Sequence, residues 1–113
     1  MKYIYLILLM LVAYPSFAGR FENHKYCTKI GEMAHYAMTL RQQGMDINEN
    51  KQLVYSQFKD YAKDEKSLVF LNFAVDYAYQ EPSEYKITNR IKQIENHEKL
   101  FYDVCFKELN NQN

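Results

Sequence analysis

Glu32-Met33-Ala34-His35 is the segment whose spacing comes nearest to a chemical signature. A glutamate and a histidine three residues apart on a helix aim a carboxylate and an imidazole the same way, which is how di-metal carboxylate bundles hold their ions. Those bundles use the motif twice, and here it occurs once. Glu32 also falls on the helix face opposite the apolar positions, so solvated side chains are the competing reading. Met33 with His97 is the other conceivable ligand pair, for haem, but no CxxCH is present to attach one. The chain is therefore expected to need no cofactor, with a metal- or haem-binding bundle kept as the third reading of its function.

Other catalytic groupings are missing. Beyond residue 18 the serines are Ser56, Ser67 and Ser83, and the last two stand near expected helix starts, where capping explains them. No Gly-rich phosphate loop and no HExxH occurs. The two cysteines, Cys27 and Cys105, are read as a disulfide, which leaves no thiol nucleophile. The expectation is a protein that is not an enzyme.

That pairing rests on the first eighteen residues. Lys2 gives a positive start, Ile4 to Ala13 is apolar apart from Tyr5, and Ser16-Phe17-Ala18 offers small residues where a signal peptidase reads them. Pro15 is expected to break any helix here. Residues 1–18 are accordingly read as a cleavable signal peptide and 19–113 as one domain, periplasmic or secreted, without stable membrane insertion after cleavage. An even cysteine count in an oxidising compartment reads as a disulfide. Cys27 lies too far past the cleavage point for a lipoprotein.

After cleavage 13 Lys and Arg face 14 Asp and Glu, a formal charge of −1. A chain so balanced has no global attraction to nucleic acid or an anionic membrane. Gly19, Gly31, Gly44 and Pro82 are the only glycines and proline beyond residue 18, which suits a few long helices.

Four helices are expected. The first runs from about His24 to Gln43, with Asn23 as cap and Gly44 as the C′ residue; Cys27, Ile30, Ala34, Ala37, Met38 and Arg41 form its inward stripe. Gly31 beside that stripe points to close approach of a neighbouring helix. Asp46 and Glu49 make a capping box for the second, whose Ile47, Val54, Phe58 and Tyr61 share a face up to Lys63. The third starts after Asp64 and, with only Asn72 and Asp76 breaking an apolar run, is expected to be the most buried. Pro82 stops it, and Ser83 caps a fourth that reaches Leu109, with Ile87, Ile91, Ile94, Phe101, Cys105 and Leu109 inward. An up-down-up-down order puts Cys27 and Cys105 at the same end, so the fold expected is an all-α antiparallel four-helix bundle stapled between its first and last helices.

With the disulfide setting the register, Glu98 is level with Ala34, and Arg41 lies about 10 Å further along. Side chains lean towards their own N-termini, so a buried Arg41 to Glu98 ion pair is within reach. His35 comes level with His97, close to Glu32 and Glu98. Tyr36 and Tyr55 project from their helices' apolar stripes and are the candidate partner-binding residues, since tyrosine gives large contact area at low entropic cost.

The order Cys27, Ala34, Met38, Arg41-Gln42, Gly44, Ala78-Tyr79, Pro82, Phe101 and Cys105 resembles small exported bacterial proteins of uncharacterised function. That resemblance covers most of residues 19–113 and implies fold and compartment. In size, export and single disulfide the chain also looks like periplasmic immunity proteins and small acid-stress chaperones. The function expected is binding of another envelope or secreted protein, of immunity or inhibitor type, with homodimerisation open; an envelope stress chaperone is the alternative.

Overall fold

The computed structural model describes residues 2–80 and 86–110, with side chains from Gly19 onward. It is an all-α antiparallel four-helix bundle of α1 (Lys2–Gln42), α2 (Ile47–Phe58), α3 (Glu65–Gln80) and α4 (Ile87–Asn110). Helix α1 is the common partner of the other three, and its packing against α4 is the most extensive. Cys27 and Cys105 are bonded, Cα to Cα 5.5 Å, which ties α1 to α4. The expected stops at Pro82 and Ser83 lie outside the described residues.

One boundary differs from expectation. Helix α1 passes through Pro15 and across the Ala18 to Gly19 junction without a break. A proline forfeits one N–H bond, and the backbone bonds on either side of it carry the helix across. Asn23 therefore caps nothing; its amide donates to Asn110 Oδ1 at 3.0 Å, about a turn beyond the disulfide at the same end of the α1–α4 pair.

At the C-terminal end of α1 the chain turns on Gly44, the one residue among those described with positive φ, +85°. Met45 N–H donates to Leu40 carbonyl and Gly44 N–H to Arg41 carbonyl, which together make the Schellman closure that a C′ glycine permits. Asp46 follows with extended backbone, and its carboxylate accepts from Asn48 N–H at 3.0 Å to start α2. Asn50, one turn into α2, is wholly buried and donates to Ala37 carbonyl at 2.9 Å and Tyr79 hydroxyl at 3.2 Å. The Tyr79 hydroxyl donates in turn to Met45 carbonyl. Three helices are thus pinned at one corner by backbone acceptors that the turn leaves available.

The core runs through Ile30, Ala34 and Ala37 of α1, Val54 of α2, Leu71 and Val75 of α3, and Phe101 of α4. Gly31 serves the role its position predicts. A Cβ there would lie 3.3 Å from both Glu98 Cγ and Glu98 carbonyl oxygen, tighter than an ordinary Cβ contact, so a side chain at 31 would have to push α4 back by a few tenths of an ångström.

Helix α2 ends at Phe58 rather than at Lys63. Tyr61 and Ala62 both donate their N–H to Phe58 carbonyl, a tight turn that sends Ala62 into the core and leaves Tyr61 exposed under the Lys29 ammonium, 5.0 Å from its ring centre. Ile87 and Ile91 are exposed as well, Ile87 at 71%. The disulfide register accounts for Ile87: Gln42, the last residue of α1, is level with Arg90, so α4 overhangs its neighbour there, with Ile91 at the edge.

Candidate functional site

Helices α3 and α4 each pack on α1, yet they are not closely packed on one another along their length. Both bring apolar side chains to the seam between them. Val69, Phe70 and Phe73 on α3 and Leu100, Phe101 and Val104 on α4 line a groove of about 270 Å³. Helix α3 is therefore not buried all round: Val69 is 61% and Phe73 58% exposed, because its apolar surface is wider than the face α1 and α2 cover. This groove is what sequence reasoning missed. The signal was present in the run Leu68 to Tyr79, which carries more apolar positions than one inward stripe needs.

The groove floor is a cluster of rings. Phe101 sits 5.8 Å from Phe73 and 4.8 Å from His97, and Tyr77 stacks on His97 at 5.9 Å. His97 is buried, not solvated, and its Nε2 donates to Ala74 carbonyl at 2.9 Å. That bond stitches α4 to α3. Beside it lies a smaller recess of about 140 Å³, lined by Met38, Tyr77 and Leu100 together with Gln93 and Asn96.

The residues singled out by sequence fare as follows. Arg41 and Glu98 do not pair. The Arg41 guanidinium lies over the Tyr79 ring, 4.8 Å from its centre, with Nε buried and unbonded. Glu98 instead meets His35, Nδ1 to carboxylate 3.2 Å, on a half-exposed flank. The reason is distance: two turns of helix separate Arg41 from Glu98's level, whereas His35 is within a residue of it. Glu32 of the Glu-x-x-His segment binds Lys29 at 3.1 Å and turns away from His35. Among the described residues no three His, Cys, Asp or Glu side chains converge to hold a metal ion.

Tyr36 is half-buried and meets Phe58 edge-on at 6.2 Å, because α2 packs on that side of α1; it is not a projecting surface residue. Tyr55 is 49% exposed on α2, and it is not among the side chains that line the groove.

One hydroxyl chain resembles a relay. The Asp64 carboxylate accepts from Ser67 N–H at 2.8 Å and from the Ser67 hydroxyl, while Tyr26 hydroxyl bonds the same serine oxygen. Ser67 is 1% exposed, so no substrate reaches it; the group caps α3 and fastens it to α1. Its charges still carry a pH signature. The Ser67 hydroxyl, then the Ser67 N–H, hold the Asp64 carboxyl below its usual range. A depressed pKa contributes stability that is complete above the unfolded value, about 4, and is lost as pH falls through the folded value. Burial pushes the Tyr26 phenol up, with Asp64 adding to the rise and the Ser67 bond opposing it. That contribution is complete below about 10 and is lost as pH rises through the folded value. Thermal unfolding followed across pH should therefore show Asp64→Asn flattening the acid side of the stability profile and Tyr26→Phe the alkaline side. Unchanged slopes in both variants would remove the relay from the account.

Comparison of the chain with protein-family models, with curated proteins and with solved structures gave no match.

Proposed function

We propose that this chain is a non-enzymatic protein-binding domain, exported to the periplasm or secreted, that receives a protein partner in the α3–α4 groove. The observation that carries the reading is the apolar seam: Val69 and Phe73 on one wall and Leu100 and Val104 on the other are exposed together. Clustered exposed apolar side chains of this kind mark contact surfaces, whereas single ones do not. Export is supported by the pattern of residues 1–18 and by the Cys27–Cys105 bond, which persists in oxidising compartments. No helix among the described residues is long and apolar enough to cross a membrane.

A photo-crosslinking residue placed at Val104 in cells that make the protein should yield a covalent protein adduct, and the same residue at Tyr55 should not. Adducts from Tyr55 alone would move the site to α2, and adducts from neither would end the reading. The same exposed seam favours a second reading, an envelope chaperone. That reading requires the purified chain to suppress aggregation of an unfolded client, with the suppression lost in Val104→Asp.

A further inference from the structure

The groove as a docking face leaves its occupant open, and the charges along its two edges narrow the choice. We propose that the occupant is a second copy of this chain, related to the first by a twofold axis parallel to α3 and α4. This rests on the reading above and names its partner.

Register within one copy comes from the rings. Phe73 meets Phe101 and Tyr77 meets His97, so each step along α3 is matched by one step back along α4. A twofold axis parallel to the helices lays α4 of each copy over α3 of the other in that same register. Val104 of one copy then opposes Val69 of the other within about one residue rise of 1.5 Å, and Leu100 opposes Phe73 equally closely. All four side chains are exposed in the single chain and find apolar partners in the pair.

The edges agree. Lys107 on α4 comes within about 3 Å of axial rise of Glu65 on α3 of the other copy. Lys92 reaches the C-terminal end of the facing α3, where the helix dipole is negative. An axis perpendicular to the helices would set α4 on α4 and α3 on α3, so that Lys107 would no longer face Glu65; the charge match belongs to the parallel axis. The chain as a whole has a formal net charge of zero, so no global repulsion opposes the pairing.

Area sets the strength. Helix α3 is 16 residues long, about 24 Å, and a face two helices wide along it covers roughly 500 Å² per copy. A standard stable interface buries about 800 Å² per partner, so the pairing is a weak and reversible one.

Sedimentation velocity on the full chain, purified natively from about 1 µM to about 1 mM, should show a reversible monomer–dimer equilibrium. Val104→Asp should weaken it about 100-fold or more, by placing a charge in the apolar contact. Lys107→Glu should weaken it about 5- to 10-fold, two symmetric pairs being reversed, and Glu65→Lys added to it should restore the wild-type constant. Circular dichroism on each variant separates this from misfolding, since Val104, Lys107 and Glu65 all face solvent. A chain monomeric throughout the range, or a dimer indifferent to Val104→Asp, overturns the proposal. A monomer that still gives a heterologous adduct at Val104 in cells overturns it while leaving the groove as the binding face.

Discussion

Replacing Cys27 and Cys105 together by alanine is expected to lower the melting temperature by about 20 to 30 °C. The bond closes a loop of 78 residues, and freeing that loop restores denatured-state entropy of about 4 to 5 kcal/mol. For a domain of this size that is comparable with the whole free energy of folding. The loss is not spread evenly. Helix α4 rests chiefly on α1, with the α3 seam open beside it, so the covalent tie substitutes for the flank contact a closed bundle would give. Both sulfurs are wholly buried, so reductant added to the folded protein should act only through its unfolded fraction. Thermal circular dichroism of the double variant checks this. A fall of under about 10 °C would mean that packing alone seats α4.

Phe101→Ala should cost about 3 to 5 kcal/mol, the range for deleting a buried ring whose neighbours cannot collapse into the space. Phe101 is 2% exposed and touches Phe73, Tyr77 and His97, so one truncation strips partners from both walls of the seam. Phe73→Ala is the informative contrast. Its ring meets Tyr77 and Phe101, yet 58% of it is in solvent, and its removal should cost under about 1.5 kcal/mol in the monomer. Urea unfolding at low protein concentration measures both. Equal losses would show that the seam is closed in solution, and the groove would then not be a docking face.

The bundle itself was legible because each of its signals is local. Gly44 ends α1 with positive φ, Asp46 starts α2 and Asp64 starts α3, each as the residue type requires. The cysteine pair then fixed the one non-local register, and Gly31 fell where α4 comes closest to α1. What the residues do not encode locally is which apolar faces meet. Helix α3 has apolar side chains on more of its circumference than its neighbours cover, and nothing in the run Leu68 to Tyr79 says that Val69 and Phe73 are the ones left out.

The same limit applies to pairing. Arg41 was placed within reach of Glu98 by arithmetic along two helices, but the third helix supplied a nearer face in Tyr79, and His35 supplied a nearer cation. Tyr36 and Tyr61 exchanged roles for a related reason. Helix α2 settles over Tyr36, and the turn after Phe58 swings Tyr61 out and Ala62 in. A periodicity gives the direction of a side chain from its own axis; it carries no information about where the next axis lies.

Because Cys105 follows Cys27 by 78 residues, the order of manufacture matters. Synthesis runs from the N-terminus, so the first three helices leave the ribosome before the sulfur that Cys27 must find. They hold a local arrangement of their own, α2 and α3 sitting against α1, and can form without waiting. The fourth helix then arrives as a latecomer onto a prepared surface, and oxidation locks whatever alignment it has reached. A newborn chain halted before Cys105 would carry one unspent thiol, open to any other oxidised molecule in its surroundings.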